Sequence, residues 1–208
     1  MSKTTLRLSS LIAILILVLT SLPSVITFGQ VKGTMTDIRD GHIYRWAIWE
    51  KKAWMLGNLN FKTADGSWVY NNDSTKEAAY GRLYTWTAAQ KACPKGWHLP
   101  SVDEWTALIT FLGGEDVAGG KLQDADSIPK DLLNVKPGEP DNFCSLLAGV
   151  RHTNGSYTGI GLWGSYWSSS KGKTEVINNY LFVRHTKSVA KSTNDKNSAF
   201  SVKCVRNK

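Results

Sequence analysis

No cysteine occurs in the first 92 residues of this 208-residue chain, which excludes lipid attachment through an N-terminal cysteine. A long apolar run is missing as well. Leu11 to Leu19 is apolar, but Thr20, Ser21, Pro23 and Ser24 interrupt it before Val25 to Phe28, whereas a spanning helix needs about 20 predominantly apolar residues. With Lys3 and Arg7 ahead of it, this short run has the pattern of a secretory signal. Residues 1–29 are therefore expected to be a signal peptide cut at Gly29/Gln30, leaving no transmembrane span. A secreted or cell-surface location follows as the expectation, with a short leader over 30–39 and one domain over 40–206.

Acidic residues are in deficit, 17 against 25 Lys and Arg, for a formal charge of +8. Loss of Lys3 and Arg7 leaves 23 basic residues against 17 acidic, or +6. An excess of that size favours anionic partners without specifying nucleic acid, and export argues against nucleic acid. Between Lys171 and Lys208, nine basic residues face only Glu175 and Asp195. This C-terminal stretch reads as a solvated face, with attraction to an anionic polysaccharide or the cell envelope as its functional alternative.

Signatures of common catalysts are also absent. His42, His98, His152 and His185 show no metal-binding spacing, and His98, between Trp97 and Leu99, is expected to be a satisfied, partly buried side chain. There is no Gly-x-Ser-x-Gly elbow, and Ser168-Ser169-Ser170 has no base placed beside it. Gly159-Ile160-Gly161-Leu162-Trp163-Gly164 matches the spacing of a dinucleotide loop, but Ser165-Tyr166-Trp167 continues as a strand where a helix is required. These glycines are expected instead to let the backbone pass close to Trp163 or Trp167. Three cysteines, Cys93, Cys144 and Cys204, are an odd number for an oxidising compartment. One disulfide and one thiol are implied, with three pairings open.

Aromatic residues are abundant, nine Trp and seven Tyr. Ile43 to Trp49 alternates as a strand, and Ala53 to Leu59 is its hairpin partner across Glu50, Lys51 and Lys52. Turn residues bracket a short aromatic strand or loop edge over Ser67 to Tyr70. Two helices follow. The first is expected to be capped by Thr87 and to stop at Pro94. The second is capped by Ser101 with Glu104 and ends at Gly113-Gly114, with Trp105, Leu108, Ile109 and Leu112 on one buried face. From Gly119 to Asn142 the chain reads as a long irregular loop. Strand-like segments recur at 143–150, 165–169, 180–185 and 199–205. This order predicts an α+β fold.

Tyr80-Gly81-Arg82-Leu83-Tyr84-Thr85-Trp86, then Cys93-Pro94-Lys95-Gly96-Trp97-His98-Leu99-Pro100-Ser101 with Glu104-Trp105, closely resemble the Fibrobacter succinogenes major paralogous domain family. The likeness extends from Asp40-Gly41 through Asn58-Leu59-Asn60 to Trp167-Ser168-Ser169 and Phe200 to Val205. It implies a bacterial extracytoplasmic domain, common in Bacteroidetes, related in fold to C-type-lectin-like and formylglycine-generating-enzyme-like domains, with no established reaction. Two departures stand out: Val69 and Glu77 occupy the places of a further cysteine pair, and Leu147 replaces a proline. No cysteine pair here matches the copper-binding thiols of formylglycine-generating enzymes.

The expected function is a non-catalytic binding module for a glycan or protein ligand at the cell surface. A structural or adhesive assembly unit is the alternative, and an enzyme of the formylglycine-generating type a remote one. Tyr157, Trp163 and Tyr166, in a Gly/Ser-rich stretch with Arg151 nearby, are the candidate ligand contacts, because flat amphipathic rings stack on sugars and anchor partners. Glu139, Asp141 and Asn142 resemble the carboxylate and amide loop of calcium-dependent lectins; a solvated acidic turn is the expected reading, calcium the alternative, and no other cofactor is expected. Cys93, at a helix end, and Cys204, on the last strand, are expected to form the disulfide. Cys144 is then a small buried hydrophobe.

Overall fold

The computed structural model describes residues 32–123, 147–172 and 176–207. In chain order its strands are β1 (Lys32–Thr36), β2 (Ile43–Trp49), β3 (Lys52–Met55), β4 (Ser67–Trp68), β5 (Leu83–Thr85), β6 (Ala148–Arg151), β7 (Tyr157–Ile160), β8 (Trp163–Lys171), β9 (Val176–Val183), β10 (Val189–Asp195), β11 (Ala199–Phe200) and β12 (Val205–Asn207). Helices α1 (Glu77–Tyr80), α2 (Trp86–Ala92), α3 (Val102–Phe111) and α4 (Glu115–Gln123) lie between β4 and β6.

Two sheets organise these elements. Strands β1-β2-β3-β12 form an antiparallel four-stranded sheet, and β10-β9-β8-β6-β11-β5-β4 form a larger one with β7 added beside β6. All pairings are antiparallel except β6 with β8. The fold is α+β, with antiparallel sheets and helices segregated in sequence.

Alternation explains the small sheet. Ala47 and Trp49 on β2 turn toward one core cluster, while Tyr44, Trp46 and Ile48 turn toward the other. Both faces of this sheet are therefore covered. The β2–β3 turn places Glu50 and Lys51 in the left-handed region at φ 44° and 63°, the geometry that matches a two-residue hairpin to strand twist. The leader expected before residue 40 contains β1, whose partner β2 supplies its hydrogen bonds even though its sequence carries no apolar stripe.

Helix α3 carries the centre of the core. Its capping box forms as the sequence predicts: Ser101 Oγ accepts from the Glu104 amide at 3.1 Å, and Glu104 accepts from the Ser101 amide at 2.8 Å. Trp105 is fully buried, with Trp54 and Tyr180 rings 5.0 and 5.2 Å away, and its indole donates to the Trp167 carbonyl at 3.3 Å. Helix α2 starts two residues earlier than expected, because Thr85 rather than Thr87 caps it through the Ala88 amide.

The expected irregular loop does not begin at Gly119, since α4 runs to Gln123. Gly119 and Gly120 resemble loop residues, but Gly119 lies so close to the Ser188 carbonyl that any Cβ would collide with it. The helix needs glycine there to dock beside β10. The remainder of the expected loop lies outside the described residues.

Two buried polar side chains of the core, Asn58 and Lys203, are matched by partners. Asn58 donates to the Tyr80 carbonyl at 2.9 Å and to Ser201 Oγ at 3.3 Å, and accepts from the Tyr166 hydroxyl at 3.1 Å. Lys203, 1% exposed, donates to the Leu56 carbonyl and lies 5.8 Å from the Tyr166 ring. A buried ammonium must be held this way, because an unpaired one costs several kcal/mol on the order of its lost hydration.

Cys93 and Cys204 are disulfide-bonded across 111 residues, with Cα atoms 5.8 Å apart. Cys93 caps α2 and Cys204 precedes β12, so the bond ties the chain's end to its helical middle. Replacing both by alanine is expected to lower stability by about 4 to 5 kcal/mol, the loop-closure entropy of so long a span; denaturant midpoints measure this. Peptide mapping without reductant should recover a linked 93–204 peptide.

A second test concerns Glu104. Burial pushes its pKa up, but the Ser101 amide, His98 at 2.8 Å and Lys52 at 3.0 Å more than offset this, so the net shift is downward. A depressed folded pKa contributes stability present above the ordinary value of 4.5 and lost as pH falls through the folded value. Glu104→Gln is thus expected to lower the melting temperature at neutral pH, with the gap to the natural protein narrowing as pH falls below the ordinary value of 4.5. A pH-independent gap would show that ionisation of Glu104 contributes nothing.

Candidate functional site

The register of the large sheet brings together residues that are far apart in sequence. Arg151 on β6 faces Tyr157 on β7 and Ala199 on β11; Ala199 faces Thr85 on β5, and Leu83, two residues earlier, faces Trp68 on β4. Directly paired residues and their i±2 neighbours share a face. Arg151, Tyr157 and Trp68 therefore meet on one face, across the small side chain of Ala199. The Arg151 guanidinium carbon lies 4.0 Å from the Trp68 ring centroid and 5.8 Å from that of Tyr157. Tyr70 packs 5.2 Å from Tyr157, whose hydroxyl donates to Asn72 Oδ1 at 3.2 Å.

Local hydrogen bonds fix the hairpin that presents this cluster. The His152 amide donates to the Ser156 carbonyl at 2.8 Å, and the Gly155 amide returns to the His152 carbonyl at 2.9 Å. Asn154 Oδ1 accepts from the Ser156 amide and hydroxyl at 3.0 and 2.7 Å, the local bonding that makes asparagine a turn residue. His152 Nε2 and Thr158 Oγ1 are 2.8 Å apart across the hairpin.

The electrostatics of Arg151 differ from those of Arg39 and Arg82. Arg39 stacks on Phe61 at 3.6 Å but is neutralised by Asp37 at 2.6 Å, which lowers the Asp37 pKa chiefly through that hydrogen bond. Arg82 pairs with Glu77 at 2.7 Å. Arg151 has no carboxylate partner among the described residues, and its Nε is sealed from water without a hydrogen bond. Its terminal nitrogens remain the part that faces solvent. A cation held between aromatic faces, partly desolvated and lacking a counter-ion, attracts an anion more strongly than a fully hydrated surface arginine does.

The other candidate residues separate. Trp163 is half-buried, packed against the second core cluster and pressed on Gly159, where any Cβ would collide with its indole. The glycine pattern is thus a close backbone approach, as the sequence predicts. Tyr166 is a correction: it is 0% exposed, bonded to Asn58 and packed edge-on to Phe182 at 5.5 Å, so it belongs to the core. Strand β8 is covered on both faces, Tyr166 by one cluster and Trp167 by the other, and alternation cannot reveal exposure in such a strand. His98 is satisfied by Glu104 but exposed rather than partly buried. Glu139, Asp141, Asn142 and Cys144 lie outside the described residues.

Trp68, Tyr70 and Asn72 were not singled out by sequence reading. The only signal was the turn chemistry that marked 67–70 as an aromatic edge, and nothing in the sequence connects that edge to Arg151, some 80 residues away. The basic C-terminal stretch is not uniformly solvated either, since Lys203 is buried and Arg206 sits 5.0 Å from each of the Trp46 and Trp97 rings.

A concavity of about 630 Å³ lies elsewhere, lined by Arg39, His42, Asn60, Phe61, Lys62 and Glu77. Its charges are largely spent internally, Arg39 on Asp37 and Glu77 on Arg82. Asn60 Oδ1 is buried there without a partner. Among the described residues no group of three His, Cys, Asp or Glu side chains could hold a metal ion, and no helix is long and apolar enough to cross a membrane.

No curated protein and no solved structure matches the chain. A family model does, over residues 49–206, which span both sheets from the end of β2 to β12 and include every residue of the Arg151 cluster. The chain belongs to the Fibrobacter succinogenes major domain family.

Proposed function

We propose that this protein is a non-catalytic binding module, exported from the cell, that recognises a glycan at the bacterial surface through the face formed by Trp68, Tyr157 and Arg151. The observation that carries this reading is Arg151 stacked between two aromatic rings without a carboxylate partner among the described residues. Flat rings beside directional donors are what a sugar requires, since its apolar C–H faces stack and its hydroxyls hydrogen-bond. The fold kinship with C-type-lectin-like domains is part of the same proposal. The site lies on regular strands and a short hairpin, which suits a contact surface that must be in place before its ligand arrives.

A glycan array probed with the mature domain, with and without chelator, is the direct test. Tyr157→Ala is expected to weaken any captured glycan by on the order of 2 kcal/mol without loss of fold, as judged by thermal melting. Trp163→Ala should instead lower stability. Full affinity in a folded Tyr157→Ala variant would place the ligand elsewhere.

Exposed Arg184, Lys187, Lys191 and Lys196 add long-range attraction. Binding to an anionic polymer should therefore weaken as salt rises and the screening length falls to about 8 Å at physiological strength. Affinity that stays constant from low to high salt would remove this contribution.

A further inference from the structure

We infer that the Arg151 subsite takes a carboxylate, and that the glycan recognised there is an acidic one containing uronic acid residues; this rests on the glycan-binding reading above. Two features of the site narrow the ligand class. The first is the sign of the charge. Arg151 is the guanidinium in the cluster, Trp68 and Tyr157 flank it at 4.0 and 5.8 Å, and no carboxylate of the described residues neutralises it. With Nε sealed and unpartnered, the terminal nitrogens are the donors left for a ligand. A planar fork of N–H groups matches two carboxylate oxygens and holds them in one plane.

The second feature is the rim. Tyr157 Oη and Asn72 Oδ1 are joined at 3.2 Å. Both groups keep further hydrogen-bonding capacity, and Tyr157 stands directly across from Arg151 in the β6–β7 pairing. A ring bearing one carboxylate and several hydroxyls meets both the fork and this rim.

The test is calorimetric titration of the natural protein with oligomers of galacturonic, glucuronic, mannuronic and guluronic acid, each beside its methyl ester, in which the ring is retained and the charge removed. At least one acid form is expected to bind, with its ester at least tenfold weaker. Arg151→Lys, which keeps the charge but loses the fork, is expected to weaken the acid at least tenfold while its melting temperature stays that of the natural protein. If Arg151→Lys fails to fold, Tyr157→Phe with Asn72→Ala removes the rim and should weaken the same ligand. Equal affinity for acid and ester, or natural affinity in a folded Arg151→Lys variant, would overturn the carboxylate assignment while leaving glycan binding intact. Oligoglutamate or a sulfated oligosaccharide binding more tightly than every uronate would overturn the sugar acid as the ligand. No binding to any uronate also overturns the inference, whereas a glycan array without a single hit is the separate result that would overturn the underlying reading.

Discussion

Residues 199–207 are held by both sheets at once. Strand β11 pairs with β5 and β6 in the large sheet, and β12 pairs with β3 in the small one. The residues between them are bonded at almost every position: the Ser201 amide donates to the Ser165 carbonyl, the Leu59 amide to that of Val202, and the Met55 amide to that of Cys204, all between 2.8 and 3.0 Å. Lys203 reaches the Leu56 carbonyl, and Cys204 is bonded to Cys93. Satisfying this many buried backbone groups fixes the spacing between the sheets. That spacing in turn decides where Tyr166 and Trp167 lie relative to α3, and so where the two clusters meet.

The candidate site depends on the same segment. Ala199 is the β11 residue between Arg151 and Thr85, and its small side chain leaves room for the guanidinium to reach Trp68. The site is thus a by-product of sheet register rather than of any local motif. Across the described residues, Arg39 and Arg82 form neutral ion pairs that serve the fold, whereas Arg151, like Arg206 beside Trp46 and Trp97, carries a charge with no carboxylate partner in a partly apolar setting. A fold tolerates such a charge only where water or a ligand can complete it.

Some of this was legible in the sequence. Where a local interaction sets the structure, local patterns suffice: the Ser101–Glu104 box, the β2–β3 alternation and the single buried face of α3 all read correctly. The pairing of Cys93 with Cys204 followed from their placement at a helix end and a final strand. Strands β1, β7 and β10 were not visible, because their hydrogen bonds come from partners and their exposed faces are polar. Tyr166 was misread because β8 is buried on both sides, which erases the period that would have separated it from an exposed residue. Trp68 and Arg151 meet only through three intervening strand pairings, and no spacing rule encodes that.

The doubly bonded terminal segment also governs when the domain can form. Val205 pairs with Trp54 and Phe200 with Tyr84, so contacts of very long sequence separation complete both sheets. Chains dominated by such pairings fold slowly and cooperatively. A polypeptide emerging from its N-terminus holds β3 and β5 as unpaired edges until its last residues arrive, and open edges invite wrong partners. The tail of the chain therefore acts as a timer. If the chain is exported as proposed above, a domain that cannot close until its final strand is present is held open during the interval when it must remain extended.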